Sequence, residues 1–292
     1  MPTIPIATFS IVAYDPGRKE WGVAVQSKFL ACAAVVSWAR AEAGAVATQS
    51  FANVAYGLDG LDLMAGGHSA EETIAMLTAA DPQRAQRQVG MVDKDGRVAA
   101  FTGEGCYDWA GHIVGDSFAC QGNILIPGTV EAMAAAYETA RSGPGELADW
   151  LVAALAAGQA AGGDSRGRQA AGVLVVRRDG GYGGHFARHC ALRVDVHPQP
   201  IDELAELVTM HHLLFGTVDP NNLMPLSAVA GELQALLRRT GDYTGPVSGT
   251  FDEATRAALR ALVGRENLEE RWDGTGENID RVVVEYLSKR FS

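Results

Sequence analysis

"TFSIVAYDPGRKEWGVAVQS", Thr8–Ser27, is the stretch whose reading decides the fold. From Thr8 to Tyr14, hydroxyl, apolar and small residues alternate as in a buried strand, and the pattern breaks at Asp15-Pro16-Gly17. Asp15 to Lys19 reads as a turn and Trp21 to Ser27 as the returning strand, so the chain opens with an antiparallel hairpin.

Working outward, "AGAVATQ" (Ala43–Gln49) is a third short strand, followed by helices over "YGLDGLDLMAGG" and from a Ser69/Glu72 capping box to Ala80. Asp95-Gly96 and Gly115-Asp116 mark two further hairpins. Alanine-rich helices are expected from about Thr129 to Arg141 and from Glu146 to Gln159, then strands at "AAGVLVV" and "CALRVDV", then a helix from Ile201 to about Leu214. Strands and helices in segregated blocks indicate antiparallel sheets covered by helices, not a parallel βαβ array. The expected class is α+β: a four-layer α/β/β/α sandwich over 8–214, with two sheets stacked between two helical layers. "FGTVDPNNLMPL" (Phe215–Leu226) carries two prolines, two asparagines and no periodicity, and reads as a linker over 215–226. Residues 227–292 read as a small all-α module whose apolar residues recur at helical spacing.

Composition excludes several function classes. Of 292 residues, 47% are hydrophobic and 20% charged, which supports a real core. The net charge is −11 without any Lys/Arg run, which argues against nucleic acid or an anionic membrane as partner. No apolar run approaches the roughly 20 residues that span a bilayer, and no positive region precedes an apolar one at the N-terminus, so a cytoplasmic location is expected. The four cysteines, Cys32, Cys106, Cys120 and Cys190, lack CxxC spacing and read as buried free thiols. His185 and His189 lack a third ligand at suitable spacing, so no metal is expected; without a GxGxxG or P-loop, no nucleotide cofactor is expected, and no cofactor of another kind is implied.

"TFSIVAYDP", "GVAVQSKF", "GAVATQSFANVAYG", "CQGNIL", "GQAAGGDSRGRQAAGVLVV" and "LRVDVHPQPIDEL" occur in order across Thr8 to Leu214. Together they resemble the domain-of-unknown-function 1028 family of bacterial proteins. That resemblance implies an N-terminal nucleophile (Ntn) hydrolase fold, which is the sandwich expected above. "LQALLRRTGDYTGPVSGTFDEATRAAL" and "ENLEERW" resemble the peptidoglycan-binding-like module often appended to that family.

The resemblance implies Thr8 as the nucleophile. Ntn hydrolases use a hydroxyl or thiol whose own α-amine, with an ordinary pKa of about 7.7–8.0, serves as base. Here "PTIPIA" follows Met1, so Thr8 acts only once the Ala7–Thr8 bond is cut and the leader over 1–7 is removed. The same threonine also reads simply as a strand residue. Ser10 faces the same side but can own no free amine. "GVAVQSK" resembles the second strand of proteasome-type subunits, with Gln26 where they carry an acid and no lysine at their catalytic position.

Gln49 and Asn53 in "TQSFAN", and Gln121, Gly122 and Asn123 in "QGN", lie at strand ends, where carboxamides can donate to an oxyanion or cap a loop. Thr8, Gln49, Asn53 and Asn123 are the catalytic candidates. Ser27, Lys28, Gln121, Gly122, Asp164 and Arg166 are the substrate-binding candidates. In "GGDSRGRQ" (Gly162–Gln169), Asp164, Arg166 and Arg168 could clamp a carboxylate or form a charged turn closed on its own aspartate. The resulting expectation is an amidohydrolase acting on a small metabolite or peptide, at a carbon–nitrogen bond other than a peptide bond. Its rivals are a catalytically silent ligand-binding or assembly protein and a cell-wall-associated protein that takes a peptidoglycan fragment at the C-terminal module. A homo-oligomer is compatible with each.

Overall fold

The computed structural model describes residues 8–216 and 218–292. The leader read over 1–7, and with it the Ala7–Thr8 bond, lies outside the described residues. In chain order the elements are β1 (Thr8–Asp15), β2 (Glu20–Ser27), α1 (Ala33–Val36), β3 (Ser37–Arg40), β4 (Gly44–Ser50), α2 (Ala55–Ala65) and α3 (Ala70–Ala80). Next come β5 (Arg87–Asp93), β6 (Val98–Thr102), β7 (Gly111–Gly115), β8 (Phe118–Asn123), α4 (Thr129–Arg141), α5 (Leu147–Ala160), β9 (Ala170–Val176), β10 (Arg188–Val194) and α6 (Pro200–Phe215). The remainder contains β11 (Leu223–Pro225), α7 (Leu226–Thr240), α8 (Glu253–Arg265), β12 (Asn278–Asp280) and α9 (Arg281–Arg290).

Two compact units divide the chain between Val208 and Thr209. This division falls inside α6, ahead of the stretch read as linker, because Leu213 is buried in the core of the second unit.

In the first unit, β1 and β2 pair antiparallel with Thr8 opposite Ser27 and Asp15 opposite Glu20. They are central in a six-stranded sheet of order β10-β9-β2-β1-β8-β7, and a four-stranded sheet runs β3-β4-β5-β6. Strand alternation sends successive side chains to opposite faces. Phe9, Ile11 and Ala24 pack in one core with Met133 of α4 and Leu151 and Leu155 of α5. Val12, Val23 and Val25 pack instead with Ala45, Ala47 and Val92 of the second sheet. The other face of that sheet buries Val46, Val89 and Met91 with Tyr56, Leu61 and Met64 of α2 and Ile74 of α3. Fully burying one such aliphatic or aromatic side chain contributes about 1.5–3 kcal/mol. Gly22 shows how closely α5 approaches the sheet: a Cβ there would lie 2.6 Å from Leu151 Cδ1.

The helix limits agree with the sequence reading, and the Ser69/Glu72 capping box forms reciprocally. In the first unit two elements depart from the sequence reading, α1 and β3, each only four residues long. Four residues are too few to display a period, so no pattern announces them. The all-α expectation for the second unit also needs correction. Leu223–Pro225 and Asn278–Asp280 form a short antiparallel ladder within it. Around that ladder, Leu233, Leu237, Leu259, Leu262, Trp272 and Leu287 make a separate apolar core. Buried Gln234 holds the loop between α7 and α8 by donating to Thr250 O at 2.9 Å and accepting from Gly249 N at 3.0 Å.

A buried charge joins the pieces around α2 and α3. Asp81 accepts from Arg87 Nε at 2.8 Å, Gln83 N at 2.8 Å and the Tyr56 hydroxyl at 3.0 Å. Burial opposes ionisation of this carboxyl, but the Arg87, Gln83 and Tyr56 hydrogen bonds outweigh it and hold the pKa down at about 2. The stabilisation is therefore complete above the unfolded carboxyl value of about 3.9 and is lost as pH falls towards 2. Asp81→Asn should cost about 3 kcal/mol at neutral pH, because Arg87 is left without its counter-charge. In urea titrations run at several pH values, the gap between native chain and variant should close on acidification below about pH 4.

Candidate functional site

The space between the two sheets changes character along β1. Beside Val12 it is apolar; towards the strand's first residue it is lined by hydroxyls and carboxamides. Period-two alternation puts Thr8 and Ser10 on the same face as Val12. The register places Ser27 on one side of Thr8 and Asn123 on the other. Thr8, Ser10, Ser27, Gln49, Gln88, Gln121 and Asn123 are all fully buried. Thr8 Oγ1 donates to Ser27 Oγ at 3.1 Å, and its carbonyl oxygen accepts from Gln49 Nε2 at 3.3 Å.

The orientation of the carboxamides follows from backbone carbonyls, which can only accept. Gln88 Nε2 faces Gly122 O at 2.7 Å and Gly111 O at 3.2 Å, so Gln88 must turn its Oε1 inward. That oxygen accepts from Gln49 Nε2 at 2.8 Å and from Asn123 Nδ2 at 2.9 Å. Gln49 Nε2 also faces the carbonyls of Thr8 and Gln121, so Gln49 Oε1 is the end that takes the Ser10 hydroxyl, at 2.6 Å. Ser10 Oγ in turn accepts from Gln121 Nε2 at 2.6 Å. Every carboxamide nitrogen of the network thus makes at least one hydrogen bond, with one each from Gln121 and Asn123. Within this network, the buried side-chain atoms left without a partner are acceptors, Gln121 Oε1 and Asn123 Oδ1. Gln49 Nε2, which faces three acceptors, has no N–H to spare for an oxyanion.

Gln88 was not among the candidates from sequence, yet it is the hub. Its only sequence signal is a lone amide at the start of the apolar run "RQVGMVD". The strand register reveals its role by placing it opposite Gln49 and Thr102. Through Thr102 Oγ1, 3.0 Å from Gln88 Nε2, the network reaches His112 Nδ1. Burial pushes the His112 imidazole below its ordinary pKa.

The remaining candidates divide. Asp164 is buried near the same sheet end, where its Oδ2 accepts from Lys28 N at 2.8 Å. Arg166 pairs with it, Nη2 to Oδ2 at 3.1 Å, which is the self-closed charged turn. The Lys28 ammonium turns to Arg168 O, and Arg168 itself donates to Gln199. Gly122 contributes its carbonyl to Gln88. Asn53 belongs elsewhere: its amide caps Ala55 N and meets Asp81 at 3.4 Å. Gln26 lies opposite Phe9 and so faces the helix side, away from Thr8.

All four cysteines are buried and free. Burial pushes the Cys32 and Cys190 thiols up to about 12, and Cys120 higher still, so none is poised as a thiolate. Among the described residues no group of three or more His, Cys, Asp or Glu could hold a metal ion, and no helix is long and apolar enough to cross a membrane.

Residues 8–204 match the model described as "Family of unknown function (DUF1028)", and the chain belongs to that family. Residues 216–287 match a second model, described as "Putative peptidoglycan binding domain". The crystal structure of a DUF1028 protein from Silicibacter pomeroyi is similar at 30% identity and a TM-score of 0.64, covering 72% of this chain and 88% of that one. No curated protein matches the chain.

The network has one tight steric requirement. Gln121 Oε1 lies against Gly90, where an added Cβ would sit only 2.1 Å away. Gly90→Ala should push the Gln121 amide off Ser10 and destabilise the protein by about 1–3 kcal/mol. Removing that amide as well, in the Gly90→Ala/Gln121→Ala double variant, should relieve the clash. A double-mutant cycle by chemical denaturation should therefore give a loss smaller than the sum of the single losses.

Proposed function

We propose that the first unit is an Ntn-type amidohydrolase in which Thr8, once it is the first residue, attacks the carbonyl of a small amide. The observation that carries this reading is the position of Thr8. It heads a central strand, its hydroxyl is bonded to Ser27, and it stands at the polar end of an otherwise apolar inter-sheet space. Two facing sheets with a helix pair against each outer face support the four-layer α/β/β/α reading. A polar end in such a core is costly unless fully hydrogen-bonded, and here it is built almost entirely of carboxamides and hydroxyls.

In the proposed reaction the freed α-amine takes the proton of the Thr8 hydroxyl as the oxygen attacks. An acyl ester forms on Thr8, and the amine passes the proton to the departing nitrogen. Water then hydrolyses the ester. An internal Thr8 amide has no such base. A chain beginning at Thr8 should hydrolyse members of a panel of small amides, and the chain beginning at Met1, with its intact mass verified, should be slower by about 10²–10⁴-fold. Thr8→Ala should abolish turnover in both. Equal turnover that survives Thr8→Ala would reduce Thr8 to a strand residue.

A second reading rests on the match over residues 216–287. It holds that the second unit docks the protein on peptidoglycan, which places the protein at the cell wall and not in the cytoplasm expected from sequence. The full chain should then cosediment with purified peptidoglycan, and its persistence in the supernatant would contradict that reading.

A further inference from the structure

Asn123 has one atom that the network leaves unused. Its Nδ2 is given to Gln88 Oε1, while its Oδ1 is fully buried without a partner. A buried acceptor with no donor has lost its hydration without replacement, so its retention calls for a physical reason. The register supplies one: Asn123 lies directly across from Thr8. Side chains so placed have their Cβ atoms about 4.5–5.5 Å apart, within reach of one another's polar groups. Nor can the amide simply rotate to relieve the orphan, since Gln88 is itself oriented by the Gly111 and Gly122 carbonyls.

We infer that Asn123 is a positioning residue whose Oδ1 accepts a hydrogen bond from the α-amine of Thr8 once that amine is free. This rests on the reading of Thr8 as an N-terminal nucleophile, and it reverses the role expected of Asn123 from sequence: it holds the base, whereas an oxyanion would need a donor. Gln88 sets the direction of that hydrogen bond without touching the amine. The unpartnered Gln121 Oε1 does not compete for the role, because it is packed against Gly90.

The test reads the amine and needs no substrate. In a chain beginning at Thr8, the rate of N-terminal acetylation by acetic anhydride is followed against pH by peptide mass spectrometry, which reports the apparent pKa of that amine. Asn123→Asp places a carboxylate beside it, which favours the charged form. The apparent pKa should rise by about one unit, slowing labelling at pH 7 about tenfold. Asn123→Ala removes the acceptor for the ammonium form, so the apparent pKa should fall and labelling should quicken; this smaller variant keeps the test decisive if Asn123→Asp does not fold. Labelling profiles unchanged in the folded variants would overturn the inference while leaving hydrolysis by Thr8 open. A shifted amine in a chain that hydrolyses no amide would instead support the positioning and sink the proposed reaction.

Discussion

Gln88 and Gln49 turn their amide nitrogens towards backbone carbonyls inside the inter-sheet space, and the polar end of the molecule depends on that constraint. Carbonyls cannot exchange roles, so Gln88 settles the direction of the Asn123 carboxamide, and Gln49 settles that of Gln121 by way of the Ser10 hydroxyl. Elsewhere between the sheets, contact is made by Val12, Val23, Val25 and Ala47, whose packing has no direction. The directional end is what distinguishes a potential site from a continuation of the core. It also explains why Gly90 must be small, since Gln121 occupies the volume that a side chain there would need.

Much of this was legible in the residues. The Thr8–Ser27 alternation located the central hairpin, and glutamine and asparagine at strand ends pointed to Gln49, Gln121 and Asn123. Other features were not legible, for physical reasons. Gln88 becomes a hub only when β4 and β5 are paired, and register between non-adjacent segments has no local signature. Asn53 follows Gln49 closely in sequence, but the chain turns into α2 and hands its amide to Asp81. The short ladder of Leu223–Pro225 with Asn278–Asp280 joins segments far apart in the chain, and each strand is too short to alternate visibly.

The two units invite separate functional accounts. The first concentrates its polar chemistry at one end of a hairpin whose remaining side chains are apolar. The second has its own apolar core and uses Gln234 in the structural way that Gln88 is used in the first, tying a loop through donor and acceptor at once. Buried carboxamides therefore serve as scaffolding in both units. In the first unit the distinguishing feature is the unpartnered Asn123 acceptor on the strand position opposite Thr8.

The central claim is that Thr8 is a nucleophile, and covalent capture tests it most directly. A β-lactone offered to the chain beginning at Thr8 should be opened by the Thr8 oxygen, leaving an acyl ester that peptide mass spectrometry maps to that residue. An adduct on Ser10 or Ser27, or no adduct on a folded chain with a verified Thr8 terminus, would contradict the account.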